Sequence, residues 1–92
     1  MKTEVNISKK AKKQLEKIPQ HILFKFFAWV EFLKDVGMAE VRKSKGFHDE
    51  PLKGNRKGQR SIRLSKAYRA IYIETNGKME LIEVIEVNKH EY

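Results

Sequence analysis

A chain of 92 residues with 20 Lys and Arg against 12 Asp and Glu carries a formal net charge of +8 and a sequence pI of about 9.8. At that length it forms one domain, 1–92, with a small core, because so short a chain buries only about 60–65% of its unfolded surface. Without Cys, the core is held by apolar packing, and disulfides and thiolate zinc sites are excluded.

The charge points to nucleic acid or an acidic protein as partner. Residues 1–20 hold no apolar run of signal-peptide kind, and Lys25, Glu31, Lys34 and Asp35 interrupt the apolar stretch 22–36, so it is not a membrane span. The expectation is a cytoplasmic protein with no membrane partner.

In chain order, Thr3-Glu4-Val5-Asn6-Ile7 alternates polar and apolar residues, which predicts a short strand with Val5 and Ile7 inward. Ser8 supplies a helix N-cap. Ala11, Leu15 and Ile18 recur at helical spacing, with lysines 9, 10, 12, 13 and 17 on the rest of the surface. Pro19 ends this helix and opens another. From 20 to 36 the apolar residues exceed one stripe, which predicts packing on two sides, against the sheet and the first helix, with Gly37 as the stop. Some of the aromatic excess there also suits a protein partner.

Residues 38–59 read as a long polar connection punctuated by Gly46, Gly54 and Gly58, and loops of that length are often functional. Arg60–Leu64 and Ala67–Glu74 read as strands around a turn at Ser65-Lys66. Asn76-Gly77 signals a hairpin, and 78–87 is a β-branched last strand. The order β-α-α-β-β-β predicts an α+β fold, with two N-terminal helices on one face of a small, mostly antiparallel sheet.

Between Arg42 and Arg69 stand ten Lys and Arg but only two acids, Asp49 and Glu50, a surface made for a polyanion. If Arg63 and Arg69 pair across the hairpin, Ser61, Arg63, Arg69 and Ile71 share one face, while Ile62, Leu64, Tyr68, Ala70 and Tyr72 form a core layer. A one-residue slip would bury Arg69, and an unpaired buried guanidinium is costly. The preferred register sets two permanent cations side by side, which makes sense with an anion between them. Arginine's planar fork suits phosphate oxygens. Lys53, Arg56, Lys57 and Arg60 add phosphate contacts from the loop. Glu50 is a candidate general base; His90 and Tyr92, beyond the last strand, offer a proton-transfer group and a stacking or hydrogen-bonding ring. No set of residues has metal-ligand spacing, and His21 and His48 read as surface and loop residues.

Glu50-Pro51-Leu52-Lys53-Gly54, the Arg63 and Arg69 pair within 61–72, and the tail Lys89-His90-Glu91-Tyr92 together resemble the RelE superfamily of bacterial toxins, the ribonucleases of type II toxin–antitoxin pairs, and most of all its YoeB and HigB branches. The order of elements extends the likeness over nearly the whole chain. The resemblance implies an endoribonuclease that cleaves mRNA in the ribosomal A site without metal or cofactor. The 2′-hydroxyl attacks the neighbouring phosphate and leaves a 2′,3′-cyclic phosphate and a 5′-hydroxyl. It maps the general base onto Glu50, a phosphate-binding lysine onto Lys53, transition-state arginines onto Arg63 and Arg69, and the general acid onto His90. Tyr92 matches less closely, because Glu91 separates it from His90 where the family often has the two adjacent. The resemblance further implies a cognate antitoxin, with mRNA and the ribosome as the other partners.

Two other readings compete. A non-catalytic RNA- or DNA-binding module needs the arginines and lysines but not Glu50 or His90. A pure interaction protein would dock through helix 20–36 and use its charge for solubility.

Overall fold

The computed structural model describes residues 3–76 and 80–89. Strand β1 (Thr3–Ile7) leads into helix α1 (Lys9–Leu15), then α2 (Gln20–Val36), a one-turn α3 (Met38–Arg42), a two-residue strand β2 (Glu50–Pro51), and strands β3 (Arg60–Arg63), β4 (Tyr68–Asn76) and β5 (Glu80–Lys89). The sheet order is β1-β5-β4-β3-β2. Only β1 and β5 run parallel; the other pairs are antiparallel. No helix is long and apolar enough to cross a membrane among the described residues.

The local signals act as expected. Ser8 Oγ accepts the Ala11 N–H at 3.1 Å and caps α1. Gly37 takes a φ of 85°, which a side chain would resist, and its N–H closes α2 on the Leu33 carbonyl at 2.9 Å. Glu80 then joins three elements through one oxygen: its Oε1 accepts the Met38 N–H at 2.9 Å and the Thr3 hydroxyl at 2.7 Å.

The α+β architecture stands, and the region read as one connection holds a helix, a strand and two 3-10 turns, Lys45–Phe47 and Gly54–Arg56. Helix α3 forms because Met38 and Val41 reach the core from one face, yet a single turn carries too few residues for a periodic signal. Strand β2 forms through two ladder partners, Glu50 with Ser61 and Pro51 with Arg60.

The two-sided packing expected of α2 is not found. Ile22, Phe26, Trp29, Val30 and Leu33 are buried as one face, while Phe24 and Phe27 are 77% and 45% exposed. Helix α1 is only seven residues long and lies against β5, so no second layer covers the outer side of α2.

Core residues come from both layers. Ala11 and Leu15 of α1 and the inner face of α2 meet Ile62, Leu64, Ala70, Tyr72, Ile82, Val84 and Val87 of the sheet. Trp29 lies at the centre, its ring 6.0 Å from Phe26 and 5.4 Å from Tyr72.

Candidate RNA-binding cleft

The β3–β4 hairpin forms in the preferred register. Arg63 stands opposite Arg69, Ile62 opposite Ala70, and Arg60 opposite Tyr72. Ser65 fixes the turn: its Oγ accepts the N–H groups of Ala67 and Tyr68 at 3.1 and 3.2 Å, a local bond that favours turns over strand. Residues 62, 64, 70 and 72 are buried in the core, Tyr68 of the expected layer is only partly so, and on the opposite face Ser61 and Ile71 are buried as well.

On the other face, cross-strand partners form rows. Glu50, Ser61, Ile71 and Glu86 make one row; Arg63, Arg69 and Asn88 make the next. The register therefore brings Glu50 to the same face as the two arginines, one row away. A cleft of about 170 Å³ opens there, lined by His48, Glu50, Ser61, Arg63, Ser65, Lys66, Tyr68 and Arg69 among others. Among the described residues neither Arg63 nor Arg69 forms an ion pair. The β5 neighbour of Arg69 is Asn88, not a glutamate. Arg69 Nε is buried and has no hydrogen-bond partner among the described residues. A buried N–H left in that state is costly unless an acceptor fills the space in front of it.

The other expected cations are placed differently. Arg60 points to the helix side with Tyr72, and its Nε donates to Asp49 Oδ1 at 2.7 Å. Arg56 donates to Glu86 Oε1 at 2.9 Å and to Gln59 at 3.0 Å. Lys53 and Lys57 are exposed on the loop and do not line the cleft. His90 and Tyr92 lie outside the described residues. His48, read as a plain loop residue, lines the cleft with φ at 47°, a left-handed conformation uncommon for a residue with a side chain.

Two polar clusters hold the surrounding loops. Beneath the cleft, the Asp49 carboxylate accepts from Arg60 and from the Tyr72 hydroxyl, while Arg42 donates to Glu74 at 2.7 Å and to the Tyr72 oxygen at 3.3 Å. Burial, then the hydrogen bond to Asp49, pushes the Tyr72 phenol well above its usual value. Burial alone would lower the Arg42 guanidinium, but its bonds to Glu74 and Tyr72 outweigh that and raise it. Sequence reading passes over this cluster. The one available signal was the acid Asp49 among so many cations, and its partners are 11 and 23 residues away.

The second cluster centres on Glu86, which binds Arg56 of the loop, Lys10 of α1 at 3.2 Å, and Asn88. Burial would raise the Glu86 carboxyl, but the hydrogen bonds from Arg56, Lys10 and Asn88 carry it below its ordinary 4.5. A depressed carboxyl stabilises the fold above its unfolded value and loses that contribution as pH falls through the folded one. The urea midpoint of the wild type is therefore expected to drop more between about pH 5 and about pH 3 than that of Glu86→Gln. Parallel curves would show that Glu86 contributes no such linkage.

These elements, helices over an open five-stranded sheet, define a RelE-like α+β fold. No protein-family model and no curated protein matches the chain, but solved structures do. A YoeB/ParE toxin from Agrobacterium tumefaciens superposes with a TM-score of 0.75 at 19% identity, covering 96% of this chain and 99% of that one. The archaeal RelE–RelB complex from Pyrococcus horikoshii gives 0.72 at 24% identity, with 97% and 96% covered. The toxin–antitoxin complex RelBE2 from Mycobacterium tuberculosis gives 0.63 at 21% identity, with 98% and 100% covered. The chain shares its fold with these toxins.

Proposed function

We propose that this chain is the toxin of a type II toxin–antitoxin pair and an endoribonuclease that cuts mRNA in the ribosomal A site. The observation that carries the reading is the pair Arg63 and Arg69, side by side on a rigid hairpin and lining a cleft that also holds Glu50, the second with a buried Nε that has no partner among the described residues.

In this reading the scissile phosphate sits between the two guanidinium groups. Glu50 takes the proton of the 2′-hydroxyl as its oxygen attacks phosphorus. Negative charge grows on the non-bridging oxygens of the pentacoordinate state, where fixed Arg donors are worth most. Holding O2′, phosphorus and O5′ in line supplies a further large factor. Bond breaking releases the 5′-oxygen, which takes its proton from His90, and Tyr92 is a further candidate for this step. The products are a 2′,3′-cyclic phosphate and a 5′-hydroxyl. Lys53 and Lys57 supply phosphate contacts along the flanking strand. Arg56 and Arg60, which hold carboxylates of the protein itself, act on the RNA field only at longer range.

A protein partner belongs to the same reading. Two of the similar structures are complexes of a toxin with its antitoxin, and the exposed Phe24 and Phe27 offer an apolar footing on a basic molecule that an acidic, amphipathic antitoxin segment would match.

Primer extension on mRNA in a purified translation system tests the reading. Discrete cuts within codons, dependent on ribosomes and lost with Glu50→Ala, are the expected result. Salt-sensitive RNA binding without cleavage, indifferent to Glu50→Ala, would instead favour the non-catalytic module.

A further inference from the structure

The side chain of Asp49 is 1% exposed and the residue immediately precedes Glu50, yet it takes no part in the reaction proposed above. Its Oδ1 receives Arg60 Nε at 2.7 Å and lies 3.6 Å from Arg42 Nε, and its Oδ2 receives the Tyr72 hydroxyl. These partners belong to β3, α3 and β4. One carboxylate thus ties the segment carrying Glu50 to three separately rooted elements.

The segment needs such a tie. Strand β2 has two residues and two ladder partners, too few to fix a backbone alone. The residue before Asp49, His48, is held at φ 47°, a conformation that persists only where the surroundings over-determine it. Glu50 itself is exposed, so its direction is set by the backbone beneath it.

We propose that Asp49 is a positioning residue: its buried carboxylate clamps β2 and thereby sets the place of Glu50 relative to Arg63 and Arg69. The proposal rests on the ribonuclease reading for its kinetic consequence, while the clamp itself has a readout free of it.

Asp49→Asn keeps the side-chain volume and removes the charge; Tyr72→Phe keeps the ring and removes one donor. Single-turnover cleavage by Asp49→Asn is expected to slow by about 10- to 100-fold with KM within about threefold, the signature of a misplaced group rather than of lost binding. Tyr72→Phe moves the same way by a smaller factor. In a Glu50→Ala background Asp49→Asn is expected to cost less than about threefold, because two residues acting through one step are not additive. Losses that multiply in full would overturn the proposal, since a residue that merely supports the fold would act alike in both backgrounds.

Hydrogen exchange supplies the independent readout. The Leu52 N–H, which closes the β2 end of the hairpin on the Gln59 carbonyl at 2.9 Å, is expected to exchange at least about tenfold faster in Asp49→Asn than in wild type. If the wild type cuts no RNA, the function proposed above fails and exchange alone judges the clamp: faster exchange upholds it and unchanged exchange overturns it. If Asp49→Asn does not fold, the same comparisons are made with Tyr72→Phe.

Discussion

Arg69→Ala is expected to lower single-turnover mRNA cleavage by about 10²- to 10³-fold, with RNA affinity changed by less than about threefold, the range seen when one preorganised donor to a developing oxyanion is removed. The expectation follows from position. Arg69 is the second residue of β4, opposite Arg63 and paired on its other side with Asn88, with its Nε buried and without a partner among the described residues. A donor held without an acceptor in the resting protein is already oriented for the state in which an acceptor arrives. Arg69→Lys sharpens the test, because lysine keeps the charge and loses the planar fork; recovery of affinity without recovery of rate is expected. Equal losses of binding and cleavage in Arg69→Ala would mean that Arg69 holds RNA in the ground state only.

The largest effect on stability is expected at Trp29. Trp29→Ala should cost about 3–5 kcal/mol, the usual range for an aromatic residue emptied from a core. The side chain is fully buried between Phe26 and Tyr72, so no collapse of a mobile surface can fill the space. Set against a typical domain stability of about 5–15 kcal/mol, that loss is a large fraction of the total. The Tyr72 ring is a wall of that space and its hydroxyl donates to Asp49, so the damage reaches the residue that precedes Glu50. Urea unfolding monitored by circular dichroism checks the magnitude. Trp29→Phe should lose less: the indole N–H has no partner to forfeit, and most of the ring contact survives. A cost below about 1 kcal/mol for Trp29→Ala would contradict the packing described.

The hairpin was legible in the sequence because two independent constraints agreed. Even spacing put residues 63 and 69 on one face, and the cost of burying Arg69 rejected the neighbouring register; the observed ladder is the same. The start of α1 and both ends of α2 were legible from Ser8, Pro19 and Gly37, whereas α1 stops at Leu15, short of the Ile18 and Pro19 at which its end was expected. What escaped depends on distant partners. Helix α3 is one turn long, β2 exists only through its pairing with β3, and the engagement of Arg60 and Arg56 is decided by Asp49 and Glu86, 11 and 30 residues away. Composition marks those arginines as part of a basic surface; only the fold reveals that each neutralises a carboxylate of its own chain. The outer side of α2 misled for a similar reason. Apolar excess signals burial, but whether a second layer exists to provide it is a property of α1, which turned out to be short.

The parallel pairing of β1 with β5 bears on how the molecule comes into being. Thr3 finds its partner at Glu80 and Ile7 at Val84, so the first strand made must wait for the last one. Strand β5 lies between β1 and β4, and without it the sheet falls into the piece β4-β3-β2 and an orphan β1. Contacts this distant in sequence close slowly, because the loop entropy is spent before the pairing returns anything. A growing chain therefore cannot seat its cleft-bearing hairpin on a finished sheet until β5 has been synthesised, and β1 stays without its ladder until then.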